Sequence, residues 1–188
     1  MLDKSVYSLE SINFRDLFEE DLEMILGWRN NHNVRLMMID DHLISLKEHK
    51  KWYSTIKKSN SCKWFVVQYL GKDVGVLGLK DIDNIYNTCT WSMYLSDSMI
   101  NSVVGVLIEI CAIDLMFQTY RIERIWGELL SINQGLLRLH KKCGFSIDRI
   151  EKNKFQRNGN PVDLIKISLE SHLWKKKRLE FVEQFNLN

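Results

Sequence analysis

The sequence lacks several features that mark other classes of protein. It has one proline among 188 residues, and no Gly/Ser-rich or low-complexity stretch separates two folding units. No apolar run approaches the roughly 18 residues that a membrane-spanning helix needs. Residues 1–14 are interrupted by charged and polar side chains and do not resemble a signal peptide. We therefore expect residues 1–188 to form one domain around a single α/β core, in the cytoplasm and without a membrane partner.

Charge and cysteine spacing exclude two further kinds of site. The chain has 26 basic and 24 acidic side chains, which leaves a formal charge of +2, so no field over the whole chain attracts nucleic acid. The cysteines are far apart, with no CxxC pair and no companion histidine at metal-ligand spacing. We expect reduced thiols, no disulfide framework and no metal at Cys62, Cys89, Cys111 and Cys143.

The spacing of apolar residues predicts both strands and helices. Ser45 and Glu48 form a capping box at a helix start. Gly71-Lys72 and Asn158-Gly159 predict hairpin turns, and Gly144 predicts a helix end because glycine accepts the left-handed conformation. Strands are predicted at 5–13, 64–70, 73–80, 89–95, 122–130, 145–150 and 163–169, and helices at 18–29, 45–57, 103–120, 133–143 and 171–185, the last of them exposed.

Residues 133–145 carry the most specific motif. They begin with Asn133, continue as a short amphipathic helix with His140 seven residues on, and close with Gly144-Phe145. This segment, with a strand before and after it, resembles the GNAT acetyltransferase family, and the order of elements extends the resemblance over nearly the whole chain. The resemblance implies an α/β (α+β) fold with a central mixed, mostly antiparallel sheet of about seven strands, splayed between strands 4 and 5 and flanked by helices. It also implies acyl transfer from acetyl-CoA to an amine.

The resemblance assigns roles to two residues of this motif. In the family the asparagine holds the pantetheine arm or the strand opening, and a residue that is usually tyrosine protonates the leaving thiolate. Asn133 and His140 are thus implied to contact acetyl-CoA, with His140 catalytic. Imidazolium can donate a proton as a phenol can, and the ordinary pKa of imidazole lies closer to neutrality. A polar helix residue without a catalytic part is the alternative for His140.

Two neighbouring strands are implied to supply the rest of the chemistry. The backbone of residues 91–95, with Met93, Tyr94 and Leu95, would contact acetyl-CoA and donate an N–H group to the carbonyl oxygen. Glu128 corresponds to a glutamate of some relatives and would hold a water that removes the amine proton. The alternative for Glu128 is a strand-edge carboxylate paired with a nearby Lys or Arg.

The phosphate-binding loop departs from the family pattern. Relatives have Arg/Gln-x-x-Gly-x-Gly/Ala at the start of the long helix, where backbone N–H groups cradle the pyrophosphate of the coenzyme. This chain keeps Gly105 but has Val103 in place of the other glycine. Because β-branched residues restrict the turn, we expect weaker coenzyme affinity; an ordinary helix cap is the alternative. The residues implied to contact the pyrophosphate are Ser102, Val103, Val104, Gly105 and Val106.

Within the family, the N-terminal half resembles the N-acetyltransferases of bacterial pseudaminic acid biosynthesis. Those enzymes acetylate the 4-amino group of a UDP-linked 6-deoxy amino sugar. The resemblance rests on residues 28–32, 37–38 and 44–49, together with Trp52, Trp91 and Tyr94. A fork donor such as Arg29 suits phosphates, and aromatic or apolar surfaces suit flat uracil and pyranose rings; core packing of Trp52 and a solvated His49 are the alternatives. The implied substrate-binding residues are Arg29, Asn30, Met38, His49, Trp52, Trp91 and Tyr94.

Two other functions stay open at this point. Ribosomal-protein acetyltransferases share the fold and a similar Trp-Arg element, which leaves acetylation of a protein N-terminus as a rival. The altered glycine loop and the histidine at position 140 leave open a non-catalytic acyl-CoA-binding module. The sequence also permits a homodimer.

Overall fold

The computed structural model describes residues 8–96 and 103–185. Within these ranges, helices lie on both faces of one sheet. The strands are β1 Ile12–Asp16, β2 Lys63–Tyr69, β3 Lys72–Asp83, β4 Thr88–Leu95, β5 Arg124–Leu130, β6 Ser146–Arg157 and β7 Asn160–Glu170. The α-helices are α1 Leu22–Asn30, α2 His32–Met37, α3 Leu46–Ile56, α4 Val103–Asp114, α5 Gln134–Cys143 and α6 Ser171–Phe185.

The strands of the described residues lie in the order β1-β2-β3-β4-β5-β7-β6. Every neighbouring pair is antiparallel except β4 and β5, which are parallel. The predicted turns at Gly71 and at Asn158-Gly159 are confirmed, and all three residues have positive φ angles. The prediction of a mixed, mostly antiparallel sheet of about seven strands is thereby confirmed.

Strands β4 and β5 separate soon after they meet. Their pairing runs only from Thr88↔Arg124 to Thr90↔Trp126, although β4 continues to Leu95 and β5 to Leu130. Beyond this point β4 stays paired with β3, and β5 stays paired with β7. Among the described residues, no strand therefore pairs with the β5-facing edge of residues 91–95. The predicted splay between strands 4 and 5 is confirmed.

Side chains of the central strands alternate between two cores. Val66 belongs to the core beneath α1, α2 and α3, and its neighbour Val67 belongs to the core beneath α4, α5 and α6. In β4, Tyr94 belongs to the first core, and Met93 packs against the second. The cleft between β4 and β5 consequently connects two differently built faces of the sheet.

The predicted helix ends hold in the structure. The Ser45 hydroxyl accepts from the Glu48 N–H at 3.2 Å, and the Glu48 carboxylate accepts from the Ser45 N–H at 2.7 Å, so the capping box is complete. Asn133 caps α5 by accepting from the Leu136 N–H at 3.3 Å. Gly144 ends α5 with φ +97°, where a side chain would be strained.

The N-terminal region differs from the prediction in two places. Residues Leu9–Ser11 form a 3-10 turn capped by Ser8, and β1 begins only at Ile12, so the predicted 5–13 strand is displaced; residues 1–7 lie outside the described part. Helix α2 was not predicted, because six residues are too few to show a helical period. Its start is marked instead by the Asn31 side chain, which accepts from the Asn33 N–H.

The C-terminal helix is exposed on one face, as predicted, but its other face is buried. Trp174 and Phe181, seven residues apart, are 1% and 5% exposed and belong to the main core. The Trp174 indole N–H also donates to Asp114 at 2.8 Å. Because lysines lie between these two aromatic residues, the sequence shows no clear apolar face for this helix. Helix α4 and a π-helical turn at Leu115–Thr119 together account for the predicted 103–120 helix.

Candidate active site

A cleft of about 1010 Å³ opens where β4 and β5 separate. Its walls come from both faces of the sheet. Arg29 of α1 and the loop after α2 contribute from one face, and α4 and α5 contribute from the other. The edges of β4 and β5 form the sides. A reaction between two molecules that approach from opposite faces of the sheet can take place in such a passage.

Most of the residues predicted to function line this cleft. The structure brings together Arg29, Met38, Trp91, Met93, Tyr94, Leu95, Gly105, Val106, Glu128, Asn133 and His140. It places Asn30, His49, Trp52, Val103 and Val104 outside the lining. Ser102 lies outside the described residues.

The start of α4 reaches the cleft through one side only. Val104 is 7% exposed and packs in the core, and Val103 points away with 54% exposure. Gly105, Val106 and Glu109 face the cleft, as helical spacing from Gly105 to Glu109 requires. The contact of residues 102–106 with a pyrophosphate stays a prediction.

Arg29 places a buried cation in the cleft wall. The side chain is in the last turn of α1, and its Nη2 donates to the Asp40 carbonyl at 2.6 Å. Its Nη1 is buried and has no hydrogen-bond partner among the described residues. Burial lowers the pKa of Arg29, but a guanidinium keeps its charge at neutral pH. An anionic or carbonyl group that reached Nη1 would give this donor the hydrogen-bond partner that it lacks.

Three of the residues predicted to bind the substrate lie outside the cleft lining. They are Asn30, His49 and Trp52. His49 is 4% exposed and stacks on Trp52, with ring centroids 4.8 Å apart. Burial, and then the charge of Arg29, lower the pKa of His49, so its imidazole is neutral at pH 7. The Asn30 side chain donates to the Ile44 carbonyl at 2.8 Å and accepts from the Ile44 N–H at 2.9 Å, which holds the segment before α3.

His140 and Glu109 form a buried pair on the opposite side of the cleft. The Nε2 of His140 lies 3.1 Å from Oε1 of Glu109, and the two side chains are 4% and 1% exposed. The imidazole is enclosed by Phe145, at 4.8 Å between centroids, and by the edge of Trp91, at 5.6 Å. Its Nδ1 has no hydrogen-bond partner among the described residues. The pair can accept and return a proton.

Glu128 lies on β5 with its carboxylate in an ion pair. Its Oε1 is 3.1 Å from the Lys166 ammonium, which is also 3.3 Å from Glu151. These two carboxylates raise the pKa of Lys166. The ion pair with a nearby lysine, which was the alternative for Glu128, is therefore present. A water-holding role for Glu128 stays a prediction.

Residues 14–165 match the acetyltransferase (GNAT) domain family. The chain belongs to the GNAT acetyltransferase family. It is accordingly an enzyme, an N-acetyltransferase that uses acetyl-CoA. The non-catalytic module considered in the sequence is not supported by this membership.

The individual relatives of this GNAT enzyme point to two kinds of substrate. It is 24% identical to acetyltransferase PseH of Campylobacter jejuni over 136 residues, 72% of this chain and 83% of PseH. It is 21% identical to spermidine N(1)-acetyltransferase of Escherichia coli over 165 residues, 88% of this chain and 89% of the relative. The crystal structure of spermidine N-acetyltransferase from Vibrio cholerae, in complex with CoA and spermine, has a TM-score of 0.81 at 19% identity, covering 88% of this chain and 99% of that one. At this low identity, the similarity to the Vibrio cholerae structure shows only that the two chains share a fold.

Sequence reasoning assigned no site role to Glu109, although a signal was present. Glu109 and Asp114 are the only charged residues in the apolar stretch 103–120. Asp114 is explained by its bonds to α6, where it accepts from Trp174 and Arg178. The remaining carboxylate, in the middle of a buried GNAT helix, needed a partner, and His140 provides it.

Arg157 at the end of β6 was missed as well. Its Nη2 donates to the carbonyls of Met38 at 2.6 Å and Ile39 at 2.8 Å, and its Nε lies 3.4 Å from the Leu36 carbonyl. It is also 3.5 Å from the Asp41 carboxylate. The guanidinium thus fixes the loop that supplies part of the GNAT cleft. No sequence signal connects residues this far apart along the chain.

In residues 8–96 and 103–185, no group of three or more His, Cys, Asp or Glu side chains is placed to hold a metal ion. No helix in those ranges is both long and apolar enough to cross a membrane. All four cysteines are free thiols, and burial raises the pKa of Cys89 to about 12.

Proposed function

We propose that this enzyme transfers the acetyl group of acetyl-CoA to the 4-amino group of a UDP-linked 4-amino-4,6-dideoxy sugar, a reaction of pseudaminic acid and surface glycan biosynthesis. The observation that carries the proposal is the buried Arg29 guanidinium with its open Nη1 donor in the cleft wall. A nucleotide sugar offers two phosphates to such a donor. The likeness to PseH supports the same substrate class.

The acceptor side of the cleft suits a flat, partly apolar molecule. Met38 and Tyr94 line it beside Arg29. Tyr94 is 8% exposed, and its hydroxyl is close enough to Arg29 for the two groups to interact electrostatically. His49 and Trp52 keep this wall rigid, and the neutral His49 adds no second positive charge. We assign Arg29 to the phosphates and Met38 and Tyr94 to the rings, with Asn30, His49 and Trp52 holding the wall.

Acetyl-CoA would bind against the free edge of β4. The backbone of Trp91, Met93 and Leu95 has no strand partner on the β5 side among the described residues. The two amides of a pantetheine arm can pair with such an edge as an added strand does. An N–H group of this edge would donate to the thioester carbonyl oxygen. Asn133, at the start of α5, lies where it can hold the arm in the opening.

A polyamine acceptor is the second candidate, since spermidine acetyltransferases share the fold. Carboxylates do line the cleft, at Asp40, Asp81, Glu109 and Glu128. However, His42 lies 2.6 Å from Asp40, and Lys166 lies 3.1 Å from Glu128. Lys166 offsets the charge of Glu128, while the Arg29 guanidinium in the cleft wall would repel a cationic substrate. The buried guanidinium of Arg29 favours the sugar nucleotide.

A panel of acceptors tests the proposal. UDP- and dTDP-linked 4-amino sugars, spermidine and Ser- or Ala-initiated peptides are each incubated with acetyl-CoA, and thiol release and the mass of the product are measured. We expect a gain of one acetyl group on a nucleotide amino sugar. Turnover of spermidine or of the peptides, with no nucleotide sugar acetylated, would contradict it.

We further propose that the enzyme acts in the cytoplasm as a homodimer. The four free thiols suit a reducing compartment. A related spermidine N-acetyltransferase from Vibrio cholerae forms a dodecamer, so association through this fold has a precedent. Sedimentation equilibrium distinguishes a dimer from a monomer or a larger ring.

A further inference from the structure

Glu109 is a buried carboxylate whose position has a chemical consequence. It is 1% exposed, in the middle of the apolar helix α4. A carboxylate removed from water is stable only when a donor satisfies it. Its Oε1 lies 3.1 Å from Nε2 of His140, and both residues line the cleft. The carboxylate therefore acts on one particular nitrogen of the imidazole.

The contact selects the tautomer of His140. A carboxylate only accepts hydrogen bonds, so the proton of a neutral imidazole resides on Nε2. Nδ1 then carries a lone pair. This atom is buried and has no hydrogen-bond partner among the described residues. Histidine in this form is an acceptor of protons at Nδ1, which differs from the donor expected from a tyrosine at the same position.

We propose that Glu109 is a positioning residue that fixes the Nε2–H tautomer, and that Nδ1 of His140 carries one proton from the amine to the leaving sulfur. The inference rests on the proposed acetyl transfer. The amine nitrogen forms a bond to the thioester carbon and gives its extra proton to Nδ1. The C–S bond then breaks, and the thiolate takes the same proton from Nδ1–H. The products are an amide and free coenzyme A, with no proton gained or lost.

The surroundings of the imidazole support this shuttle. Trp91 and Phe145 pack around the imidazole ring, and His140 is 3% exposed, which limits loss of the proton to solvent between the two steps. The Cys143 thiol on α5 interacts electrostatically with Glu109, and Glu128 on β5 lines the same cleft. Burial and then the Glu109 charge raise the pKa of Cys143, so the thiol stays protonated and neutral. Glu128 has its charge offset by Lys166.

The pair also removes the need for a separate base. The imidazolium that forms in the first step is stabilised by the Glu109 carboxylate. One residue then serves as base and as acid in succession. A water held by Glu128 would be needed only to deprotonate an amine that arrives as ammonium.

The first test measures the tautomer and does not depend on turnover. Nitrogen NMR of the ¹⁵N-histidine-labelled, unmodified protein, with His140 assigned through the His140→Gln variant, reports which ring nitrogen carries the proton at high pH. We expect the proton on Nε2 and none on Nδ1. A proton on Nδ1 would overturn the inference, whichever amine proves to be the substrate.

The second test removes the charge of Glu109. Glu109→Gln keeps the shape, but its amide can donate to Nε2 and so permits the other tautomer. We expect kcat to fall about 10- to 100-fold, with the KM for acetyl-CoA unchanged.

A matched control lies on the same helix. Asp114→Asn alters the bonds to Trp174 and Arg178 but leaves the cleft intact. It should lower stability without lowering kcat. An unchanged kcat in Glu109→Gln would overturn the role. If Glu109→Gln does not fold, the tautomer measurement on the parent protein still decides. Failure on nucleotide sugars alone would affect only the proposed substrate.

Discussion

The indole of Trp91 lies directly over Gly127 on the neighbouring strand. A Cβ atom at position 127 would be 2.8 Å from Cζ3 and 3.0 Å from Cη2 of the Trp91 ring. These residues follow Thr90 and Trp126, the last pair that β4 and β5 share. The indole therefore occupies the position at which the two strands separate. The position of the indole also affects the site, because the rings of Trp91 and His140 pack in a T-shaped arrangement with 5.6 Å between their centroids.

Gly127→Ala should impair the enzyme through Trp91. The methyl group would push the indole toward His140, so we expect a fall in kcat of at least tenfold. Overpacking of this kind destabilises a protein by about 1–3 kcal/mol. Steady-state kinetics and urea unfolding measure the two effects. The control is Gly27→Ala in α1, where a Cβ meets nothing within 4 Å and alanine favours the helix. Full activity of Gly127→Ala would show that the position of Trp91 is irrelevant to catalysis.

The fold was largely predictable from the sequence because each element carries a local signal. The capping box of Ser45 and Glu48, the left-handed Gly144 and the hairpin at Asn158-Gly159 are all formed by residues near in sequence. The elements that were mispredicted have weak local signals. Helix α2 is six residues long, and the apolar stripe of α6 consists mainly of Trp174 and Phe181.

The site was predictable only where the family motif or residue type pointed to it. Arg29, Asn133 and His140 were expected in the site, and all line the cleft. The partners that give these residues their properties come from distant segments, as Glu109 does for His140 across 31 positions. Such contacts depend on the packing of α4 against α5. A single sequence carries no periodic signal for them.

Removal of the Arg29 charge should weaken binding of the acceptor. A hydrogen bond to a charged group contributes about 1.5–3 kcal/mol, so Arg29→Met should raise the KM for the nucleotide sugar roughly 10- to 100-fold. The KM for acetyl-CoA should stay constant, because the β4 edge is unchanged. Arg149→Met is the matched control, since the Arg149 side chain is 71% exposed and lies outside the cleft lining. An equal rise of both KM values would argue for a general loss of structure.

Deletion of the His140 imidazole should affect turnover more than binding. A positioned acid or base contributes on the order of 10² to 10⁴ in rate, so His140→Ala should lower kcat by at least 10² while the Kd for acetyl-CoA changes little. Stopped-flow thiol release and calorimetry separate the two quantities. Equal activity of His140→Ala and the parent between about pH 6 and 9 would remove this residue from the mechanism.

Arg157 should control the order of the cleft loop. Its guanidinium donates to the carbonyls of Met38 and Ile39, so Arg157→Met leaves both acceptors without their donor. We expect faster hydrogen exchange in residues 36–41 and a higher KM for the acceptor, with the KM for acetyl-CoA unchanged. Arg149→Met is the control on the same strand, because its side chain is 71% exposed. Unaltered exchange in the loop would contradict the prediction.

Acid stability should depend on Arg15, which lies between two carboxylates. Its guanidinium is 2.8 Å from Asp21 and 2.6 Å from Asp73, and its hydrogen bonds lower the pKa of both. A carboxyl group with a lower pKa in the folded state contributes stability above its unfolded pKa, near 4, and loses it as the pH falls through the folded value. Arg15→Met should therefore reduce the free energy of unfolding at pH 7 by about 1–3 kcal/mol, and its difference from the parent should shrink below about pH 4. Urea unfolding at several pH values measures this.

Lys152→Met, which removes an exposed partner of Asp163, should have a smaller effect at pH 7. A difference between Arg15→Met and the parent that stays constant down to about pH 2 would show that the ion pairs do not contribute through titration.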